Sequence, residues 1–465
     1  MFFVSIFIII YIVSYIVLAL LSYVGIKKYT DHEFNTKNYV LEKSNNVLGV
    51  SVIAPAFNEG PNVVFNVKSL LSLNYPKFEI IVVNDGSSDD TLEKLIEEFE
   101  LIKVPFYYQE KIVTAPVRGH YKSSNPIYSK LLVVDKINKK SKADASNAGI
   151  NSSKYPLFLC TDVDCILKND TIIKLAKPFM ESKVRIIGTG AGIRASNSSI
   201  VKEGFLLKVH YPKQWYPRFQ ELEYVRAFLF GRMAMSQLNG VLIISGGLGM
   251  LDKEIAILAG GYSHKSLGED MEIVTRMRKY MCDNNLKFAI KYLPESLCWT
   301  EVPSTVNVLI SQRSRWARGL VQTLYTHKNI FFNRKYGKLS FLIFPYFFFF
   351  EFLVPILELI GIIILIIIFF FWHINYMNFL KLTFIVYLFY LVNTLISISI
   401  DDKIYKNYAS VKELSILILM AIIEPVVYHP ITVFASLKGY WQFFNNQELK
   451  WGNMQRQGFT TENKK

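Results

Sequence analysis

Met1–Gly25 carries no charged residue, and a run of that length exceeds the ~20 apolar residues a helix needs to cross the hydrocarbon core of a bilayer. Such a stretch has to pair its own backbone groups, so a membrane helix is expected over residues 1–26. A cleaved signal peptide would want a basic start, a shorter apolar core and a small-residue cleavage site, and none of these is clear. Lys27 and Lys28 follow at once, and the positive-inside bias then sets the next part of the chain on the cytosolic side. Three further apolar regions lie at 339–372, 379–400 and 414–437. The first is longer than one span needs and is broken by Pro345, Glu351, Pro355 and Glu358, which fits an interfacial segment followed by a span. Glu424, Pro425, His429 and Pro430 interrupt the last one. Residues 373–379 hold no Lys or Arg, whereas 401–413 hold Lys403, Lys406 and Lys412, so the former are expected outside and the latter inside. One more crossing would put Lys438, Lys450, Arg456, Lys464 and Lys465 outside, against the bias. Either the last segment is re-entrant or 339–372 crosses twice.

Composition agrees with a membrane protein that also has a large folded domain. Of 465 residues, 51% are hydrophobic and 19% charged, a balance that excludes a wholly soluble or disordered chain. The formal charge of +14 suits nucleic acid, an anionic membrane or phosphorylated substrates equally; at a membrane, lipid and phosphorylated substrates are expected and nucleic acid is not. The four cysteines, Cys160, Cys165, Cys282 and Cys298, form no CxxC pair, so neither zinc nor a disulfide framework is indicated and reduced cytosolic thiols are expected.

Between about 50 and 326, short β-branched runs alternate with helix-like segments, the pattern of an α/β domain with a mostly parallel sheet. Strands are predicted at 50–55, 78–84, 131–134, 156–161, 184–188 and 241–244. Asp90-Thr91-Leu92-Glu93 reads as a capping box, and 142–151 as a helix of small residues.

Four places in this region carry chemistry. Asp85 ends an apolar run, at the strand end where α/β sheets bind ligands; it and Asp90 could equally be turn caps. Asp162-Val163-Asp164 follows Leu157-Phe158-Leu159-Cys160, so two carboxylates at strand spacing project to one side. That suits Mg2+ or Mn2+, which take few protein carboxylates and leave positions for water or diphosphate oxygens. Two solvated acids in a turn are the alternative. Gly268-Glu269-Asp270 opens a helical stretch over 271–281, where acids in the first turn can be mere dipole partners. Gln312-Arg313-Ser314-Arg315-Trp316 offers guanidinium forks for a diphosphate and an indole face for a sugar, or else a basic amphipathic helix on anionic lipid.

Taken in order, Pro55-Ala56-Phe57-Asn58-Glu59, Asp85, Lys142-Ala-Asp-Ala-Ser-Asn-Ala-Gly149, Asp162-Val163-Asp164, Gly268-Glu269-Asp270 and Gln312–Trp316, flanked by spans, resemble the family 2 inverting glycosyltransferases. They are similar in particular to the membrane-embedded branch with cellulose, hyaluronan, chitin-oligosaccharide and poly-N-acetylglucosamine synthases. The resemblance implies a cytosolic α/β domain of glycosyltransferase-A type, nucleotide-binding and mostly parallel, combined with α-helical transmembrane segments. It implies that Pro55, Asn58, Glu59 and Asp85 hold the nucleoside of a UDP-sugar and that Lys142 sits near the donor. Asp162 and Asp164 would hold Mg2+ or Mn2+. Asp270 matches the family's general base with Glu269 its neighbour, Gln312, Arg313 and Arg315 would contact the diphosphate, and Trp316 would lie under the acceptor. Asn138-Lys139-Lys140-Ser141 stands where many relatives have a glycine-rich stretch, a departure at the donor edge.

The expected layout is a membrane helix at 1–26, a cytosolic glycosyltransferase domain at 27–326, an interfacial helix with about three spans at 327–437, and a basic tail at 438–465. Residues 451–456 of that tail resemble a segment of some bacterial relatives, either a flap over the donor site or an interfacial tail. The function expected is a multi-pass enzyme of the cytoplasmic membrane: a hexosyl- or N-acetylhexosaminyltransferase that extends a glycan and extrudes it, with export or regulatory subunits as possible partners. Transfer of one sugar to a polyprenyl phosphate or glycolipid is the alternative, and an inactive glycan-export scaffold a third. Glu351, Glu358, Glu424 and His429 either line a polar passage for the product or pair with one another.

Overall fold

The computed structural model describes residues 2–35, 46–202, 205–371, 376–405 and 410–447. The tail segment 451–456, with Lys450, Arg456, Lys464 and Lys465, lies outside them, as do residues 373–375 and 406–409 of the two loops used for topology. By contact the chain forms two compact units, one of residues Ile26–His210 and Val241–Val302, the other of Met1–Gly25, Tyr211–Gly240 and Pro303–Met454.

The first unit is built on a mixed sheet. Its strands are β1 (Val50–Ala56), β2 (Phe78–Asn84), β3 (Leu101–Val104), β4 (Val117–Ser123), β5 (Leu131–Lys136), β6 (Leu157–Cys160), β7 (Ile166–Leu167) and β8 (Arg185–Ala195), followed by β11 (Gly249–Asp252) and β12 (Phe288–Thr300). A separate antiparallel ribbon pairs β9 (Ile200–Lys202) with β10 (Phe205–Lys208). The ten-stranded order is β3-β4-β5-β2-β1-β6-β11-β8-β12-β7. Its centre, β5-β2-β1-β6, is parallel, and β1 and β2 are almost wholly buried, as near-continuous apolar strands with helices on both faces must be. Chain order reverses at β1: β2 and β5 lie on one side of it and β6 on the other. This is a topological switch point, which opens a crevice outside the carboxyl ends of β1 and β6.

The strands expected at 50–55, 78–84, 131–134, 156–161 and 184–188 are present within a few residues, and the helix of small residues is Lys142–Ser152. Its smallness has a packing cause. Gly149 lies so close to β1 that a Cβ there would overlap Ile53 Cγ2. Gly149→Ala is therefore expected to cost about 1–3 kcal/mol, read as a lowered unfolding temperature of the purified protein. Gly361→Ala, with nothing within 4 Å of its Cβ, is the control expected to leave it unchanged.

Two local expectations are corrected. Residues 241–244 are not a strand; the sheet takes Gly249–Asp252 instead. Ile244 packs on the sheet, within reach of the bare backbone at Gly188, Gly190 and Gly249, and Arg278 Nη1 donates to Val241 O at 3.3 Å. Apolar runs that lie on a sheet and apolar runs that lie in it look alike in sequence. The helix Thr91–Glu98 starts where expected, but Asp90 makes no side-chain cap. Asp89 does, accepting from Thr91 N at 3.1 Å.

The second unit is helical. Among the described residues, three helices are long and apolar enough to cross a membrane, Ile12–His32, Leu339–Ile364 and Thr383–Lys403, and a fourth span arises if the pair Val411–Val427 and His429–Phe444, bent by 49°, counts as one. Phe219, Leu222, Leu309, Leu417, Met420 and Tyr428 share a buried core. The helix Val306–Thr326 packs tightly on His429–Phe444: Ser314 Oγ donates to Ala435 O at 2.9 Å, and a Cβ at Gly439 would overlap Ser314 O.

Of the polar groups in the apolar helices, His429 Nε2 meets Glu358 Oε2 at 3.0 Å. Glu424 takes both Nη atoms of Arg226, at 2.6 and 2.5 Å. Of these three, Glu424 is buried, and its pairing with Arg226 offsets that burial.

Candidate active site

Past the end of β6, four of the first unit's candidate residues gather around one turn, Ser245–Leu248, closed by Leu248 N donating to Ser245 O at 3.0 Å. Thr161, just past β6, anchors it by donating from Oγ1 to Gly247 O at 2.9 Å. Lys142, the first residue of its helix, donates from Nζ to Gly246 O at 3.3 Å and forms an ion pair with Asp162 Oδ1. A Cβ at Gly246 would lie 3.4 Å from Lys142 Nζ, 3.8 Å from Asp270 Cβ and 3.9 Å from Glu269 Oε1. Lys142, Asp162, Glu269 and Asp270 therefore converge on this turn, with Asp164 two residues along. Burial alone would lower the Lys142 ammonium, but the carboxylates of Asp162 and Glu269 outweigh it and hold the group above its ordinary range.

The two carboxylates fit a divalent cation. A Cβ at Gly247 would stand 3.3 Å from Asp162 Oδ2, so the glycine keeps open the space this carboxylate faces. Asp164 is buried and Asp162 half-buried, so the pair retains an accessible edge for oxygen ligands from a substrate.

The base candidates are set by the helix Glu269–Asp283 and the loop before it. Asn147, from the Lys142–Ser152 helix, donates from Nδ2 to Tyr262 O and accepts from Tyr262 N, both at 2.8 Å. That clasp ties the lysine helix to the segment leading into Glu269 and Asp270. Asp270 Oδ1 accepts from Met271 N at 2.8 Å, which fixes its rotamer at the helix start.

At the neighbouring strand ends, Asn58 adopts φ 55°, a left-handed conformation that asparagine tolerates. Its Oδ1 accepts from Ser88 N at 2.8 Å, and Glu59 N donates to Thr91 Oγ1 at 2.9 Å. Pro55 pairs in register with Val83. Asp85 has a partner that sequence reasoning missed: the fully buried Lys136, whose Nζ lies 2.6 Å from Asp85 Oδ1 and 2.8 Å from Asp144 Oδ2. Burial pushes the Asp85 carboxyl up, against the pull of that ammonium. The only signal was an Asp-Lys pair closing the apolar run 131–134. Gly246 and Gly247 were missed too, although a Ser-Gly-Gly run between apolar segments marks a turn.

Gln312, Arg313, Arg315 and Trp316 belong to the other unit and lie on the helix Val306–Thr326. Arg313 is held by Glu223, at 2.8 Å from each carboxylate oxygen, and by Tyr428 Oη at 3.1 Å. Gln312 Oε1 accepts from Gln220 Nε2 at 2.8 Å. The Arg313 guanidinium stacks 4.3 Å from the Trp316 ring centre, leaving the indole 40% exposed.

Residues 51–235 match the model of glycosyl transferase family 2, and residues 157–392 that of glycosyl transferase family group 2. Among curated proteins, the chain is similar to a poly-beta-1,6-N-acetyl-D-glucosamine synthase of Staphylococcus epidermidis, 29% identical over 288 residues, 62% of this chain and 58% of that protein. A second similar protein is the poly-beta-1,6-N-acetyl-D-glucosamine synthase of Staphylococcus aureus strain COL, 26% identical over 58% of this chain and 54% of that protein. The matches thus span little more than half the length of these relatives. Among solved structures, the mannosyltransferase PcManGT of Pyrobaculum calidifontis, in complex with GDP-Man and Mn2+, superposes with a TM-score of 0.52 at 14% identity. That alignment covers 93% of this chain and 99% of that one.

Proposed function

The chain belongs to the family 2 glycosyl transferases, and from that premise we propose that it is a membrane-bound inverting N-acetylhexosaminyltransferase that extends a polysaccharide from a UDP-sugar donor. The observation that carries the reading is the convergence of Lys142, Asp162, Glu269 and Asp270 on the Ser245–Leu248 turn at a sheet switch point. It supports a reading in which a lysine, two acids for a metal and a candidate base serve one donor sugar. Similarity to the poly-beta-1,6-N-acetyl-D-glucosamine synthases supports N-acetylglucosamine as the sugar. Lys27 and Lys28 after the first span support a cytosolic catalytic unit.

In this mechanism Asn58, Glu59 and the strand end at Pro55 border the nucleoside, with Asp85 fixed beneath by Lys136. Asp162 and Asp164 would hold Mg2+ or Mn2+, which would supply charge compensation for the diphosphate. Lys142 adds a second positive charge at the same edge. The Asp270 carboxylate takes the proton of the acceptor hydroxyl, whose oxygen bonds to the anomeric carbon as the bond to the diphosphate oxygen breaks. The diphosphate leaves with the electron pair, and a single displacement inverts the carbon without a second nucleophilic carboxylate. By resemblance, Trp316 is assigned the acceptor sugar and Gln312 and Arg315 the diphosphate.

Purified protein in detergent, given a panel of UDP-sugars, is expected to release UDP fastest from UDP-N-acetylglucosamine and to build a product that lengthens with time. A product that stops at one sugar on a lipid would replace the polymer reading with single transfer, and equal inertness to every donor would sink both.

A further inference from the structure

The acids at the end of β6 have a sulfur beside them. One ligand atom from each of Asp162, Asp164 and Cys165 lies within 4.8 Å of the others. A turn brings this about: Cys165 N donates to Asp162 O at 3.0 Å, folding the chain so that the thiol comes round to the carboxylates instead of alternating away from them. The bare Cα of Gly247 faces the thiol as well as the first acid, since a Cβ there would stand 3.1 Å from Cys165 Sγ and 3.3 Å from Asp162 Oδ2. Cys298 Sγ lies 3.9 Å from Gly247 O, so a second thiol lines the same turn.

We propose that Cys165 is a third protein ligand of the cation held by Asp162 and Asp164, which makes the seat a carboxylate–thiolate one that selects softer cations over magnesium. This rests on the cation-dependent reading above. Magnesium demands oxygen ligands in near-ideal octahedral geometry and parts with water reluctantly. A thiolate instead favours softer ions, and affinity at a mixed site rises from manganese through cobalt. On binding, the thiol gives its proton to solvent and its sulfur lone pair to the metal.

The test uses the full chain in detergent with UDP present and Co2+ as the probe. The wild type is expected to develop a near-ultraviolet sulfur-to-cobalt charge-transfer band that saturates at one equivalent. Cys165→Ser should lose the band and bind Cd2+ at least ~10-fold more weakly, while its Mg2+ affinity stays within about 2-fold. Cys298→Ser and Cys160→Ser should keep the band. If Co2+ displaces Mn2+ yet no band forms, or the band survives Cys165→Ser, the thiol ligand is overturned while the carboxylate seat stands. If neither Mn2+ nor Co2+ binds the wild type, the seat itself is overturned. Should Cys165→Ser fail to fold, Cys165→Ala takes its place, and a band that survives Cys165→Ala refutes the proposal.

Discussion

Asp270→Asn is expected to lower turnover by about 10²–10⁴-fold while leaving the affinity for UDP-sugar within about 2-fold. Asparagine keeps the size of the side chain and an oxygen to accept from Met271 N, as Asp270 Oδ1 does, so the start of the helix should survive. What disappears is the lone pair able to take a proton from the acceptor hydroxyl. Because that transfer matters only as the new bond forms, the loss should fall on the chemical step rather than on binding. Steady-state UDP release measures the first quantity, and equilibrium binding of labelled UDP-sugar the second. Near-native turnover of Asp270→Asn, together with an inactive Glu269→Gln, would move the base to Glu269.

Removing the metal should have an effect as large but of a different kind. Excess EDTA is expected to abolish transfer, and Asp164→Asn to reduce it by ~10²-fold or more, with donor affinity falling alongside. The diphosphate builds negative charge as it departs, and at this edge the nearby Asp162, Glu269 and Asp270 oppose it. Lys142 alone, already paired with Asp162, cannot offset both. Restoring Mn2+ should recover the wild type fully and Asp164→Asn only in part. Activity that persists undiminished in EDTA would rule out a metal-dependent transfer, whatever the fate of the Asp270 variant. The two experiments therefore separate loss of the base, which spares binding, from loss of the cation, which does not.

Much of the scaffold was legible from local pattern. β1 and β2 are runs such as Val50–Ala56 whose β-branched residues favour an extended chain, and their burial on both faces is what such a continuous apolar run predicts. Glycine and alanine in the Lys142–Ser152 helix announced close packing. Residues 241–244 misled because Ile244 fills the hollow over Gly188 and Gly190, a partnership between distant segments with no trace in the period of either. Asp89 displaced Asp90 as the cap for a similar reason: it also accepts from Gly60 N, at 3.1 Å, a donor that reaches it only because β1 and β2 are neighbours.

The sequence by itself determined the apolar segments, the alternation of strand and helix, and the order of the acid and arginine motifs. These follow from how each short stretch meets water or lipid, which is a local matter. Only the tertiary structure decided what each charged group faces. Asp85 and Asp162 are both acids just past the end of an apolar strand, yet one is buried against Lys136 and the other meets Lys142 at the open crevice. Arg313 is likewise read from sequence as a diphosphate ligand, yet it is held by Glu223 and Tyr428. A carboxylate or guanidinium interacts over a few ångströms with whatever the fold brings near, and its partners come from other elements far along the chain. Spacing along the chain therefore determines which chemistry is on offer, and packing determines which of those groups can take part in it.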